Sequence, residues 1–290
     1  MKSLHKFKDE NFITALKAFF EELQVPVNYI ADEPLNPKEL LGEKYKAEHP
    51  IQKLIADVYM LGMVDDAIFE GKRSFANMQQ IQKLKGDYEG VLIFGITLKI
   101  EIPNRSQLAE ITRLFTRSFP HTPVTVVFKY GNRLSFANSE RVKYKQEWRE
   151  GEKVGKVSLL KDIDIIQPHR GHLSILNQLI IPIAGSKAVK NFTQLYYYWQ
   201  SVFSISVLNK NFYEDIIAWF NTAIKDIKIP GNDEDSGKHK DFTVRLIARL
   251  IFIWFLKELK VVKEELLVPE FENGEINDLI KPNTKGSGYY

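Results

Sequence analysis

Val91-Leu92-Ile93-Phe94-Gly95-Ile96-Thr97-Leu98-Lys99-Ile100 is an almost unbroken apolar run of strand length, and the fold follows outward from it. Ser106 is suited to cap a helix over residues 107–118, since its hydroxyl accepts a hydrogen bond from the first free backbone N–H groups. Pro120 and Pro123 lead into a second strand, 124–130, and Gly131-Asn132 turns the chain into a hairpin partner, 134–138. A further strand, 157–166, follows a loop rich in Lys, Arg and Glu. On the N-terminal side Phe12, Leu16, Phe19, Phe20 and Leu23 recur at helical spacing and predict an amphipathic opening helix. Pro26, Pro34 and Pro37 preclude a continuous helix through the connector 25–37. Pro50 suits the first turn of a second helix, 51–63, and Gly71 and Gly86 punctuate a loop-rich stretch with one weak strand at 75–84. The expectation for residues 1–170 is an α/β (α+β) domain with a mixed sheet.

From His172 onward no strand is predicted. Residues 194–208 and 211–223 read as helices dense in aromatics, 231–240 as a polar loop, and 241–260 as a long helix, giving a helical connector over 171–290. The uninterrupted apolar run in that last helix, 250–256, is far shorter than the ~20 residues a membrane span needs. Arg245 and Arg249 interrupt what precedes it, so a buried core helix and no membrane partner are expected. The two arginines lie four apart on one face, suited to solvent, an acidic partner or a phosphate.

With 44% hydrophobic and 27% charged residues, the 290-residue chain has the composition of a folded protein with one large or two ordinary domains. It has no cysteine, which excludes a disulfide scaffold and Cys-ligated zinc and fits a reducing, cytoplasmic setting. The first twenty residues lack the apolar core and cleavage site of a signal peptide. A net charge of +3 permits DNA binding without arguing for it. No Walker A loop, GxGxxG or GxSxG motif occurs.

The strand–helix–strand passage 91–130 resembles the third core strand, second helix and fourth strand of the PD-(D/E)xK nuclease fold. That resemblance implies an Asp on one strand and an acid-x-Lys on the next, the carboxylates holding Mg²⁺ and the Lys positioning the attacking water. Lys99 stands at the lysine position, but the acid two residues earlier is Thr97. Asp87, or the pair Asp65–Asp66, is a candidate first acid. Glu101, expected on the same strand face as Thr97 and Lys99, is a candidate second metal ligand beside Asp87. The plainer reading makes Lys99 and Glu101 the solvent-facing end of an ordinary strand, in a degenerate nuclease-like fold.

His169 and His172, in Pro168-His169-Arg170-Gly171-His172, are spaced to share a metal or, more simply, to cap a helix and meet solvent. Arg105, Arg113, Arg117, Lys129 and Arg133, with His169 and Arg170, are candidate DNA contacts at the strand ends, against a merely solvated face. Tyr196-Tyr197-Tyr198-Trp199 offers rings for stacking on bases or, with more apolar area at stake, for packing in a helical core.

Two passages resemble the N-terminal region of Eco57I-like (type IIG) restriction–modification proteins. One is ITRLFTRSFPHTPVTVVFKYGNRLSFANSERV (111–142), continuing through KVSLLKDIDIIQPHRGHLSIL (156–176) with Asp162-Ile163-Asp164 and the Pro-His-Arg-Gly-His cluster. The other is FTVRLIARLIFIWFLKELKVVKEELL (242–267), similar to the helix before the methyltransferase, with Phe212-Tyr213 in the preceding helix. The resemblance implies a module that engages double-stranded DNA and couples to a downstream adenine-type DNA methyltransferase region of the same polypeptide. The methyltransferase motifs are missing from these residues: the only Asn-Pro, Asn36-Pro37, is followed by Lys38. An N-terminal fragment is therefore expected. The alternatives are a non-enzymatic protein-interaction module and an active Mg-dependent endonuclease using Asp87, Lys99 and Glu101.

Overall fold

The computed structural model describes residues 1–86, 88–143, 152–203, 205–228, 236–259 and 261–262. Contacts divide the chain into two compact units, Met1–Leu208 and Asn209–Tyr290. The first is an α+β unit built on a six-stranded mixed sheet: β1 (Asn28–Tyr29), β2 (Ile55–Asp65), β3 (Gly90–Leu98), β4 (Val124–Tyr130), β5 (Arg133–Lys143) and β6 (Glu152–Asp164). The strands lie side by side in sequence order, with β3 and β4 parallel and every other neighbouring pair antiparallel. The longer helices are α1 (Phe12–Glu22), α2 (Arg105–Ser118), α3 (Arg170–Gln178), α4 (Phe192–Val202), α5 (Ile205–Asp226) and α6 (Ser236–Glu258).

β3 is apolar throughout because both its faces are covered. Leu92, Phe94, Ile96 and Leu98 join a core with Leu108, Ile111 and Phe115 of α2, while Val91 and Ile93 join a core with α1 and α4. Gly95 belongs to the second face: a Cβ there would sit 2.3 Å from Leu16 Cδ1, so glycine is what lets α1 lie directly on the strand. The crossover α2 connects the parallel pair β3 and β4, as a parallel connection requires. Its start is two residues earlier than Ser106 implies. Asn104 is the cap, accepting from Gln107 N–H, and Gln107 bonds back to Asn104 N–H, a reciprocal pair that satisfies two donors.

Two predicted elements are exchanged. The helix expected over 51–63 is limited to one turn, Pro50–Lys53, and the rest is the long strand β2. Its Val58, Met60 and Met63 go to the α2 face and Leu61 and Val64 to the other, so burial on both sides produced an apolar run without alternation. Gly62 fits only here: a Cβ would stand 2.2 Å from Asn28 O of β1. The weak strand expected at 75–84 is instead a short helix, Met78–Gln82, capped by Asn77.

Residues beyond 170 do not all leave the sheet. α3 and α4 pack on the α1 face through Leu176, Leu179, Phe192, Leu195 and Trp199, so they belong to the first unit and not to a separate segment beginning at 171. Trp199 is buried against Phe20 and Phe136, and its Nε1–H reaches Leu179 O at 3.4 Å. Among the described residues from 172 on there is no strand.

In the second unit α6 starts at Ser236, inside the predicted polar loop, whose residues 231–235 lie outside the described set. The expected buried core helix is not what forms: Val244, Phe252 and Phe255 are each more than half exposed, and of its described side chains Thr243 alone is buried. Among the described residues no helix is long and apolar enough to cross a membrane.

Candidate functional site

The carboxyl ends of β3 and β4 gather most of the chemistry-bearing residues, because parallel neighbours end together and their loops leave from one edge. Thr97 lies in the last turn of β3's pleat beside the start of β2. Its hydroxyl donates to Asp57 Oδ2 at 2.9 Å and accepts Asp57 N–H at 3.0 Å. A register irregularity in β2 between Ile55 and Val58 delivers Asp57 to this position. Asp57 is exposed, so its carboxylate is open to solvent on the side away from Thr97.

Lys99 and Glu101 do not share a strand face with Thr97, contrary to the expectation. β3 ends at Leu98; Lys99 lies in a bend, held by its N–H to Leu54 O, and its side chain is exposed. Glu101 lies in the β3–α2 loop beside the β4–β5 turn, its Cγ 4.0 Å from where a Cβ on Gly131 would be. Asp87 lies outside the described residues. Asp65 ends the strand near whose start Asp57 lies, and Asp66 opens the short helix that follows. Eight residues at about 3.3 Å each separate Asp57 from Asp65, on the order of 25 Å, far beyond the reach of a shared metal.

Asp65 is occupied in any case. It accepts Ile68 N–H at 3.1 Å, the Tyr88 hydroxyl at 2.6 Å and the Ser74 hydroxyl, while Asp66 accepts Phe192 N–H at 2.8 Å. Burial, with the hydrogen bond to Asp65 adding, pushes the Tyr88 hydroxyl up to about 12. Among the described residues no group of three or more His, Asp or Glu is arranged to hold a metal ion. Asp57 with a threonine hydroxyl is a poor donor set for Mg²⁺, which takes its protein ligands chiefly from carboxylates. The described residues do not fit that ion.

The predicted basic cluster separates into three. Arg105 opens α2 and Arg117 is twelve residues along it, about 18 Å at the helical rise. Arg113 is half-buried, and Lys44 Nζ bonds to Arg117 O near the far end. Lys129 is on the opposite face of the sheet from α2, beside Thr97 in the parallel register, and donates to Phe7 O at 2.7 Å. Burial holds its ammonium pKa below the ordinary lysine value. Arg133 begins β5 and is exposed at the same edge as Arg105.

A second polar cluster at this edge has no signature in the sequence. Opposite Ser135 of β5, β6 carries a bulge at Lys161–Asp162, and Asp162 adopts φ +61°, the left-handed region. That geometry turns its N–H onto both Ser135 Oγ at 3.2 Å and Tyr130 Oη at 3.3 Å, while its Oδ1 accepts the Tyr130 hydroxyl at 2.9 Å. Tyr130 Oη also bonds to Ser135 Oγ, and Lys161 Nζ pairs with Asp162 Oδ2. Burial raises the Tyr130 hydroxyl well above its ordinary range, and the neighbouring Asp162 charge adds to the effect.

His169 acts as the cap of α3, its Nδ1 accepting Gly171 N–H at 3.1 Å, as the simpler sequence reading had it. His172 lies with its ring centroid 6.0 Å from that of His169, and its buried Nδ1 makes no hydrogen bond among the described residues. Burial, helped by nearby His169, lowers its pKa, and Asp162 opposes this. Arg170 is exposed. In the aromatic run, Tyr197 is exposed, whereas Trp199 is in the core and the Tyr198 hydroxyl bonds to Gln178 O at 2.7 Å.

Comparison with known proteins adds no likeness: no family model, curated protein or solved structure matches the chain.

Proposed function

We propose that this chain is a DNA-engaging module of the bacterial, cytoplasmic restriction–modification type. It acts by binding duplex DNA beside a downstream adenine-type methyltransferase region of the same polypeptide, on a degenerate PD-(D/E)xK nuclease-like sheet. One observation carries the reading: the hydrogen-bonded Asp57–Thr97 pair, an acid on β2 beside the end of β3, with Lys99 in the bend that follows. An acid beside a strand end is one part of what such a nuclease needs; a hydroxyl stands where its second carboxylate belongs, and the lysine is one residue past the strand. The strand–helix–strand unit β3–α2–β4 supports the same reading. Threonine in that place favours engagement over hydrolysis, since a divalent ion loses half its anionic donors.

The test is titration of a labelled duplex with the full chain at increasing salt, followed by plasmid incubation with Mg²⁺ or Mn²⁺. The expected result is duplex binding that weakens as salt rises, with no cutting. Binding absent or indifferent to salt overturns the DNA reading. Cutting that disappears in Asp57→Ala and Lys99→Ala replaces it with a working endonuclease.

A second reading, a protein-interaction module, is favoured by α6, whose exposed Val244, Phe252 and Phe255 offer apolar area.

A further inference from the structure

Three loops meet at the carboxyl edge of the sheet. The β3–α2 loop approaches the β4–β5 turn through Glu101 and Gly131, and the chain after β6 is tied to that turn by Ile165 N–H to Asn132 O at 2.9 Å. Arg133 and Asp164 are opposite each other in the β5–β6 register, which fixes the third loop beside the second. Four exposed cations stand on this rim: Lys99, Arg105, Arg133 and Arg170. Between them project Ile102, 71% exposed, and Ile166, 44% exposed.

Neither isoleucine is on a loose segment. Ile102 is followed by buried Pro103 and by the reciprocal Asn104–Gln107 cap. Ile166 is held by Asp164, whose Oδ1 accepts the N–H groups of Ile166 and Gln167, both at 2.8 Å. Aliphatic side chains so exposed add little to the core, yet the backbone beside each is fixed by these hydrogen bonds.

We infer that this rim is the duplex-contacting edge, with the four cations on phosphates and Ile102 and Ile166 pressed between base pairs as wedges. Apolar side chains inserted at a base step unstack it and kink the duplex, and flanking cations hold the backbone on either side. The four exposed cations outnumber the exposed carboxylates of Asp57 and Glu101 at this edge, a balance that favours a polyanion. A lipid surface is the poorer match, because two separated aliphatics bury little area in a bilayer. The inference rests on the DNA reading above and extends it by naming how the duplex is deformed.

The experiment uses the full chain, a duplex with 2-aminopurine at successive positions, and end-labelled duplexes whose energy transfer reports bending. The wild type is expected to raise 2-aminopurine fluorescence at one or two steps and to shorten the end-to-end distance. The double variant Ile102→Ser/Ile166→Ser is expected to keep the helix content and melting of the wild type and to bind within a few-fold. It should lose both the fluorescence rise and the bend. Arg105→Ala and Arg133→Ala should each weaken binding about tenfold and reduce the salt slope by about one. Duplex binding by the wild type without unstacking or bending overturns the wedge while leaving the DNA reading standing. Failure to bind any duplex removes both. Isoleucine-dependent binding to phosphatidylserine vesicles, with none to DNA, assigns the rim to a membrane surface and overturns the proposal.

Discussion

Asp57 and Asp65 stand near opposite ends of one strand, β2, and their surroundings are opposite too. Asp65 is 1% exposed and accepts from two hydroxyls and a backbone N–H, tying β2 to the chain around Ser74 and Tyr88. Asp57 is exposed, and its one side-chain partner is the hydroxyl of Thr97. The same contrast runs across the sheet. At the Asp65 end polar groups are consumed in holding loops together, whereas at the carboxyl edge of β3 and β4 cations and carboxylates remain open to solvent. The difference teaches that a buried carboxylate with its lone pairs filled is part of the framework, and a half-bonded one at a loop edge is available to a ligand.

Substitutions sharpen the contrast in a definite order. The largest effect is expected from Asp65→Ala, which leaves two half-buried hydroxyls and the Ile68 N–H without their acceptor; urea unfolding should register a loss of about 3 kcal/mol. A loss under about 1 kcal/mol would put Asp65 on the same footing as Asp57.

Next comes Asp162→Ala. Alanine there keeps the unfavourable left-handed backbone and loses the side-chain bonds to Tyr130 and Lys161, so about 2 kcal/mol of destabilisation is expected, with Asp162→Gly recovering part of it. Equal stability of the alanine and glycine variants would show that the bulge carries no backbone strain.

His172 supplies a pH arm. Its folded pKa lies below the ordinary 6.5, so the unfolded chain takes up the proton first as pH falls. The stability associated with neutral His172 is therefore complete above about 6.5 and is lost as pH falls through the lowered folded value. Unfolding midpoints measured between neutral and mildly acidic pH should fall less steeply in His172→Gln than in the wild type. Parallel curves would contradict the assignment.

The smallest effect is predicted for Asp57→Ala, within about 0.5 kcal/mol of the wild type in thermal unfolding, as for other exposed positions. A large loss would make Asp57 a framework residue like Asp65.

Much of the sheet was legible because its apolar runs are flanked by unambiguous punctuation, Pro123 before β4 and Gly131-Asn132 between β4 and β5, whereas the cap of α2 was read as Ser106 and is Asn104. β2 was not. Its run from Ile55 follows a helix-starting proline, and a short apolar stretch buried on both faces has no period to tell strand from helix. Asp57 was lost with it, since inside a helix it has no reason to meet Thr97. Lys99 was read as part of the strand, but β3 stops at Leu98, and past a strand's end the alternation of faces no longer applies, so the face shared with Thr97 and Glu101 does not form. The basic residues show the same limit. Spacing along the chain does not say that Lys129 faces α1 while Arg105 faces the loops, a matter of strand parity and of which helix covers which face. The bulge at Lys161–Asp162 is a product of pairing with β5, and no residue type near it announces a left-handed aspartate.

The central claim, that the carboxyl edge and not the far end of α2 meets DNA, is tested most directly by comparing Arg133→Ala with Arg117→Ala in the salt dependence of duplex affinity. The edge variant is predicted to bind more weakly and to lower the slope of log affinity against log salt by about one, while Arg117→Ala keeps the wild-type slope. Equal slopes for the two variants, or a loss confined to Arg117→Ala, would contradict it.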